Sequence, residues 1–222
     1  PAGLIGPPPW PIAAAAEAPR LAGDELRLWW CPDTEDAGDL TRRARTDRVL
    51  RQVLAPMLDL APAALSFGRE SKGRPFLRHA DAPDFNLTDT HGGTLIAVCR
   101  LGRVGVDIER IDRRPPVARL APRWFAPDEA RLLAAMPPEE ARRAFLRLWT
   151  AKEASCKATG TGIFGYLSRW RFDPVADMPT PLAMPDDAGE PARWSFLRLM
   201  PSPMHTAVVS LRDARHRRAL VI

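Results

Sequence analysis

Two spacings organise the apolar positions of this chain. Short apolar or alternating runs predict strands, beginning with Leu26-Arg27-Leu28-Trp29-Trp30, which Cys31-Pro32-Asp33 ends. Thr94 to Cys99 reads as a buried strand, and Leu101-Gly102-Arg103 then turns the chain into Val104 to Glu109, predicting a hairpin. Phe85 to Leu87 is a shorter extended piece, and Lys72-Gly73-Arg74-Pro75 is a turn signal. Further strand-like pieces follow at Leu167–Phe172, Trp194–Leu199 and Thr206–Leu211. Helical spacing appears first over Asp39 to Leu58, where Leu50, Val53, Leu54 and Met57 recur at i, i+3, i+4 and i+7. Pro127-Asp128-Glu129 opens a second helix and Pro137-Pro138 ends it; a third runs from Glu139 to Thr159, with Gly160 as its C-terminal cap. A strand, a helix and strands, followed by helices and strands, predict an α+β fold of two similar halves. Arg113-Arg114-Pro115-Pro116 reads as the linker, giving a Pro/Ala-rich arm at 1–20 and halves at 21–112 and 113–222.

Composition narrows the class. The 222 residues are 45% hydrophobic and 27% charged, as expected of a soluble globular chain with a real core. There is no apolar run of about 18 residues to span a membrane, and no basic residue precedes the apolar part of the N-terminal arm, which argues against a signal peptide. Three widely spaced cysteines, Cys31, Cys99 and Cys156, exclude a disulfide scaffold and a CxxC zinc module, and a cytoplasmic location follows. The net charge of +5 suits a polyanion or an acidic protein partner. Of 32 basic residues only Lys72, Lys152 and Lys157 are lysines, which marks them as places where a compact ammonium is needed rather than a planar guanidinium.

Three groups of residues carry candidate chemistry. In Gly105-Val106-Asp107-Ile108-Glu109-Arg110 the alternation of a strand puts Asp107 and Glu109 on one face, with Cα atoms roughly 7 Å apart. That pair is either a hard-cation site or the exposed polar face of an edge strand. On the third helix Trp149, Glu153 and Lys157 share a stripe at i, i+4 and i+8, with Lys152 one residue round from Glu153. The stripe is either an ordinary Glu–Lys pair or, with two of the three lysines inside six residues, a phosphate site. The loop Thr88-Asp89-Thr90-His91-Gly92-Gly93 is either a plain turn or a phosphate-binding loop.

Together these pieces resemble the 4′-phosphopantetheinyl transferase family in its two-halved, monomeric, surfactin-synthetase-activating type. The resemblance covers roughly residues 24–212. It rests on Gly-Val-Asp-Ile-Glu at 105–109 and Trp-Thr-Ala-Lys-Glu-Ala at 149–154, followed by Lys157 and Gly160. Lys-Gly-Arg-Pro at 72–75 and Phe-Asn-Leu-Thr at 85–88 stand upstream. It implies a pseudo-dimer, each half a small antiparallel sheet packed on helices, with the active site at the interface. The implied reaction moves the phosphopantetheine arm of coenzyme A to a serine of an acidic acyl- or peptidyl-carrier protein, as in secondary-metabolite biosynthesis, releasing 3′,5′-adenosine bisphosphate.

By the same resemblance, Asp107, Glu109 and Glu153 bind Mg²⁺, with Mn²⁺ as the alternative ion. Asp107 and Glu153 are the direct ligands, and Glu109 binds directly or through water. Lys157 contacts the pyrophosphate, and Lys152 and Trp149 complete the motif. Arg69, Lys72, Gly73 and Arg74 hold the adenosine and its 3′-phosphate, and Thr88, Asp89, Thr90 and His91 meet the nucleotide phosphates. Arg42 and Arg43 are 3′-phosphate candidates by position and charge. Glu153 is the first choice of general base and Glu109 the second. The usual Ser-His-Ser of the loop is Thr88-Asp89-Thr90 here. An ionised Asp89 is expected to turn from phosphate, either to a Thr88–Gly93 amide or to an arginine.

Two other readings compete. A basic nucleic-acid-binding protein or Mg²⁺ nuclease would want Glu-x-Lys, where Glu109-Arg110-Ile111 stands instead. A non-catalytic binder of coenzyme A or a carrier protein would not need the full set of acids. The expectation is therefore an enzyme with no nucleic-acid or membrane partner.

Overall fold

A computed structural model describes residues 25–33, 41–100, 102–213 and 218–221; the arm expected at 1–20 lies outside them. The chain begins with strand β1 (Glu25–Pro32) and helix α1 (Arg42–Leu54), followed by the short strands β2 (Phe67–Arg69) and β3 (Pro75–Leu77). Strands β4 (Asp84–Thr90), β5 (Gly93–Cys99) and β6 (Arg103–Arg110) precede three helices, α2 (Val117–Trp124), α3 (Pro127–Ala135) and α4 (Pro138–Thr159). Strands β7 (Arg171–Phe172), β8 (Pro181–Ala183), β9 (Trp194–Ser202), β10 (His205–Arg212) and β11 (Arg218–Val221) complete the order.

The fold is α+β, as expected. The larger sheet has the order β11-β1-β5-β4, antiparallel except that β11 joins β1 in parallel; the second has the antiparallel order β6-β10-β9, and β2-β3 and β7-β8 are separate two-stranded sheets. Strand alternation sorts the side chains. Trp29, Phe85, Ile96 and Val98 face α1, where Leu50, Val53 and Leu54 cover them. Leu26, Leu28, Leu95 and Ala97 face the other way and pack against Val104, Val106, Ile108, Ala207 and Val209 of the second sheet. The far face of that sheet, with Val208 and Trp194, meets α4. The layers thus run helix, sheet, sheet, helix.

Several expectations change. The hairpin expected between 94–99 and 104–109 does not form, because β6 pairs with β10, register Asp107↔Val208. The turn at 100–103 instead carries the chain from one sheet to the other. Where β6 passes β4, side chains replace a ladder: Val104 N donates to Asp84 Oδ2 at 2.8 Å and Val106 N to Asn86 Oδ1 at 3.0 Å. The strand expected at Leu167–Phe172 shrinks to Arg171–Phe172, because turns occupy the residues before it. Helix α2, with Pro122 inside it, was not expected from the spacing. Helix α4 ends as anticipated, on Gly160 at φ 74°. No helix among the described residues is long and apolar enough to cross a membrane.

Candidate active site

Gly105 explains how the two main motifs meet. A Cβ there would lie 2.0 Å from Ala154 O and 2.4 Å from Ala158 N, both backbone atoms of α4. Only glycine lets α4 lie this close to β6. The neighbours on the same strand face, Asp107 and Glu109, then look onto the helix stripe that carries Glu153 and Lys157.

The contacts are specific. Lys157 Nζ donates to Asp107 Oδ1 at 2.7 Å and to Val106 O at 3.0 Å, and it lies 3.9 Å from Glu153 Oε2. Thr88 Oγ1, reaching over from β4, donates to the same Asp107 oxygen at 3.2 Å. Asp107 is 4% exposed, and its Oδ2 is buried with no hydrogen-bond partner. Glu109 is engaged by Arg113. Burial, opposed by Arg113 and reinforced by Asp107, pushes the Glu109 carboxyl up to about 7. Glu153 is pushed up as well, by burial and then by the charge of Asp107. Burial works against the Lys157 ammonium, but Asp107 and then Glu153 outweigh it and hold its pKa above the ordinary value. Three carboxylates thus face one another with too little positive charge among them. Among the described residues no three His, Cys, Asp or Glu side chains already close into a metal cage. The orphaned Asp107 oxygen and the raised acids nevertheless fit a hard divalent cation that takes oxygen ligands and brings others with its substrate.

An arginine-lined cleft of about 850 Å³ opens on the α1 side, with Arg42, Arg43, Arg69, Asp89, Pro75 and Leu87 in its walls. The first turn of α1 holds no acid, although acids would suit a helix N-terminus; arginines there work against the helix dipole and favour an anionic ligand instead. Pro75 and Leu87 also line a second cavity, of about 220 Å³, with Lys72, Gly73, Lys157 and Gly160. The two share Pro75 and Leu87, and Lys157, in the wall of the second, reaches from there to Asp107.

Some expected site residues lie elsewhere. Lys152 is fully buried, and its ammonium donates to Glu129 Oε2 at 2.6 Å, to Leu167 O at 3.1 Å and to Trp170 O. All three donors are engaged in the core of the C-terminal half, so Lys152 has none to offer a pyrophosphate. Trp149 sits in an aromatic cluster, stacked on Phe145 and edge-on to Trp124. Arg74 lines the second cavity, but its guanidinium is committed to Asp84, Phe85 O, Val104 O and Lys157 O. Arg69 lines the cleft and donates to Gly73 O at 2.8 Å. Asp89 pairs with Arg42, one of the two outcomes its charge led us to expect. His91 meets the second sheet through its carbonyl, which accepts from His205 Nε2 at 3.0 Å. Thr90 ends β4 at the hairpin tip. Sequence reading gave no role to Asn86, Arg103 or Arg113; Asn86 and Arg103 meet backbone groups or residues distant in sequence, whereas Arg113 meets Glu109 only four residues away.

Comparison with known proteins decides the family. A model of the 4′-phosphopantetheinyl transferase superfamily matches residues 103–209, the stretch that holds β6, α4 and the acids. The chain is 35% identical over 218 residues to the 4′-phosphopantetheinyl transferase HetI of Nostoc, covering 86% of this chain and 89% of that protein. The chain belongs to the 4′-phosphopantetheinyl transferase superfamily. A 4′-phosphopantetheinyl transferase of Bacillus subtilis is 32% identical over 66% of this chain and 68% of its own. An L-aminoadipate-semialdehyde dehydrogenase-phosphopantetheinyl transferase of Xenopus laevis is 28% identical over 93% and 72%. The family's matched region thus contains the Asp107–Lys157 contact, whereas the arginine cleft of this transferase is built from residues before it.

Proposed function

We propose that this transferase moves the 4′-phosphopantetheine arm of coenzyme A to a serine of an acyl- or peptidyl-carrier protein with the help of Mg²⁺. The observation that carries the reading is Asp107. One of its oxygens is held by Lys157 and Thr88 and the other is buried and unpartnered, and Lys157 itself lines the cavity that adjoins the arginine cleft. Coenzyme A would lie across the two cavities: its 3′-phosphate by Arg42, Arg43 and Arg69, its adenosine by Lys72 and Gly73, and its pyrophosphate by Lys157 and the Thr88–His91 hairpin. Asp107, Glu109 and Glu153 would hold Mg²⁺, which when bound neutralises charge on the phosphate oxygens.

The serine oxygen attacks the β-phosphorus, and the bond from that phosphorus to the bridging oxygen breaks. Adenosine 3′,5′-bisphosphate leaves with the bridging oxygen. The protein's part is positioning and electrostatics. Glu153 takes the serine proton, since its nearest cation is 3.9 Å away whereas Glu109 is engaged by Arg113. Its raised pKa suits that role. The halves at 21–112 and 113–222 and a monomeric, cytoplasmic enzyme belong to the same reading. The net charge of +5 suits an acidic carrier.

Incubation with coenzyme A, Mg²⁺ and a panel of apo-carriers, read by intact mass, tests this. The expected result is addition of one phosphopantetheine, lost on chelation. Bound coenzyme A with no transfer to fatty-acid or peptide-type carriers would leave a binder instead.

A further inference from the structure

The C-terminal end of α4 is held by the other half of the molecule. The last carbonyls of a helix have no partner within it. Here Cys156 O accepts from Gly160 N, but Lys157 O accepts from Arg74 Nε at 2.9 Å and Ala158 O from Arg103 Nε at 2.9 Å. Arg103 Nη2 also donates to Glu70 Oε2 at 2.9 Å, and Glu70 lies 3.7 Å from Arg74. The Arg74 side chain is 4% exposed and bidentate on Asp84, at 2.9 and 2.7 Å. Its Nη2 also meets Phe85 O at 3.2 Å and Val104 O at 2.9 Å. Gly160 closes the arrangement, since a Cβ there would lie 2.4 Å from Glu70 Oε2.

From this geometry we infer that Glu70, Arg74 and Arg103 form a clamp that sets the position of Lys157 through its own backbone. Arg74 is then a positioning residue and not a ligand of the nucleotide. It ties β4, β6 and α4 together at one point, and a guanidinium is the only side chain with enough donors in a fixed plane to do so. Two guanidiniums also suit the negative end of the α4 dipole. The clamp holds the helix turn from which the Lys157 ammonium reaches Asp107, so slack in it moves the ammonium. The inference rests on the reading of Lys157 as the pyrophosphate contact.

The test is calorimetric binding of coenzyme A, and separately of adenosine 3′,5′-bisphosphate, which has no pyrophosphate, to wild type, Arg74→Lys, Lys157→Ala and the double variant, all with Mg²⁺. Arg74→Lys is expected to weaken coenzyme A by about tenfold, the scale of one hydrogen bond to a charged group. It should leave adenosine bisphosphate unchanged and add nothing in the Lys157→Ala background. Equal weakening of both nucleotides would make Arg74 a ligand, and an additive loss in the double variant would make its role merely structural; either overturns the inference. Arg103→Lys, which disturbs the Ala158 and Glu70 bonds and leaves those of Arg74, should act in the same direction and covers the case in which Arg74→Lys does not fold. A second measurement stands apart from coenzyme A. With only three lysines in the chain, peptide mass after mild amine acylation gives the labelling of Lys157 relative to exposed Lys72. Arg74→Gln or Arg103→Gln, which add no fourth lysine, should raise that ratio severalfold, and an unchanged ratio in both contradicts the clamp. Wild type that binds neither nucleotide would sink the function reading while the labelling ratio still decides the clamp.

Discussion

Lys152 and Lys157 stand five residues apart on one helix and meet different worlds. On the α3 side, Lys152 is fully buried against Glu129, whose carboxylate also accepts from Ala126 N at 3.0 Å and Phe172 N at 3.3 Å. Every polar atom of that pair is satisfied. Burial nonetheless lowers the Lys152 pKa, Glu129 opposing it. On the β6 side, Lys157 is partly exposed, and its acidic partner keeps one oxygen without a bond. A closed network locks a core, whereas an incomplete one beside a cavity awaits a ligand. The same residue type and nearly the same ion-pair distance, 2.6 against 2.7 Å, thus serve structure on one face and chemistry on the other.

This contrast can be broken by substitution. Asp107→Asn should lower the transfer rate by about 10³-fold, the scale of removing one electrostatic contact at a reacting phosphate. Thermal unfolding should show that the fold survives, and retention of the rate at saturating Mg²⁺ would remove Asp107 from the site. Lys152→Met should do the reverse, costing about 3–5 kcal/mol of stability in urea because Glu129 is left buried without its cation. The rate per folded molecule should stay near that of wild type. Gly105→Ala should affect both measurements: about 1–3 kcal/mol of overpacking against α4 backbone, and a rate loss of roughly tenfold or more as Glu153 and Lys157 shift from Asp107.

The smallest effect concerns the thiols. Burial pushes Cys31 up to about 11 and raises Cys99 and Cys156 too, so all three stay protonated near neutrality in the folded chain. The unfolded chain releases its thiol protons first, near 9, so stability should fall as the pH rises above 9. Disulfide-exchange labelling at pH 8 should be slow when folded and fast in urea.

Helix α4, strand β5 and the Gly105–Glu109 segment were legible because each carries its own periodicity and end signals. The same signals placed Asp107, Glu153 and Lys157 on faces able to meet, and charge gave an arginine as one of two partners for Asp89. The expected hairpin failed because β6 leaves its neighbour in sequence for β10, a choice made by packing and not by local pattern. Lys152 was misplaced because Glu129 lies 23 residues away and the two carbonyls it binds carry no sequence mark. For Arg74, the turn of Lys-Gly-Arg carries no sign of the distant partners that its guanidinium holds.

The most direct test of the division along α4 is a side-by-side intact-mass time course on one apo-carrier with coenzyme A and Mg²⁺, using wild type, Lys152→Met and Lys157→Ala at a temperature where all three are folded. The account predicts phosphopantetheine transfer by Lys152→Met at close to the wild-type rate and a loss of roughly 10²-fold or more in Lys157→Ala. Equal losses in the two variants, or a larger one in Lys152→Met, would contradict it.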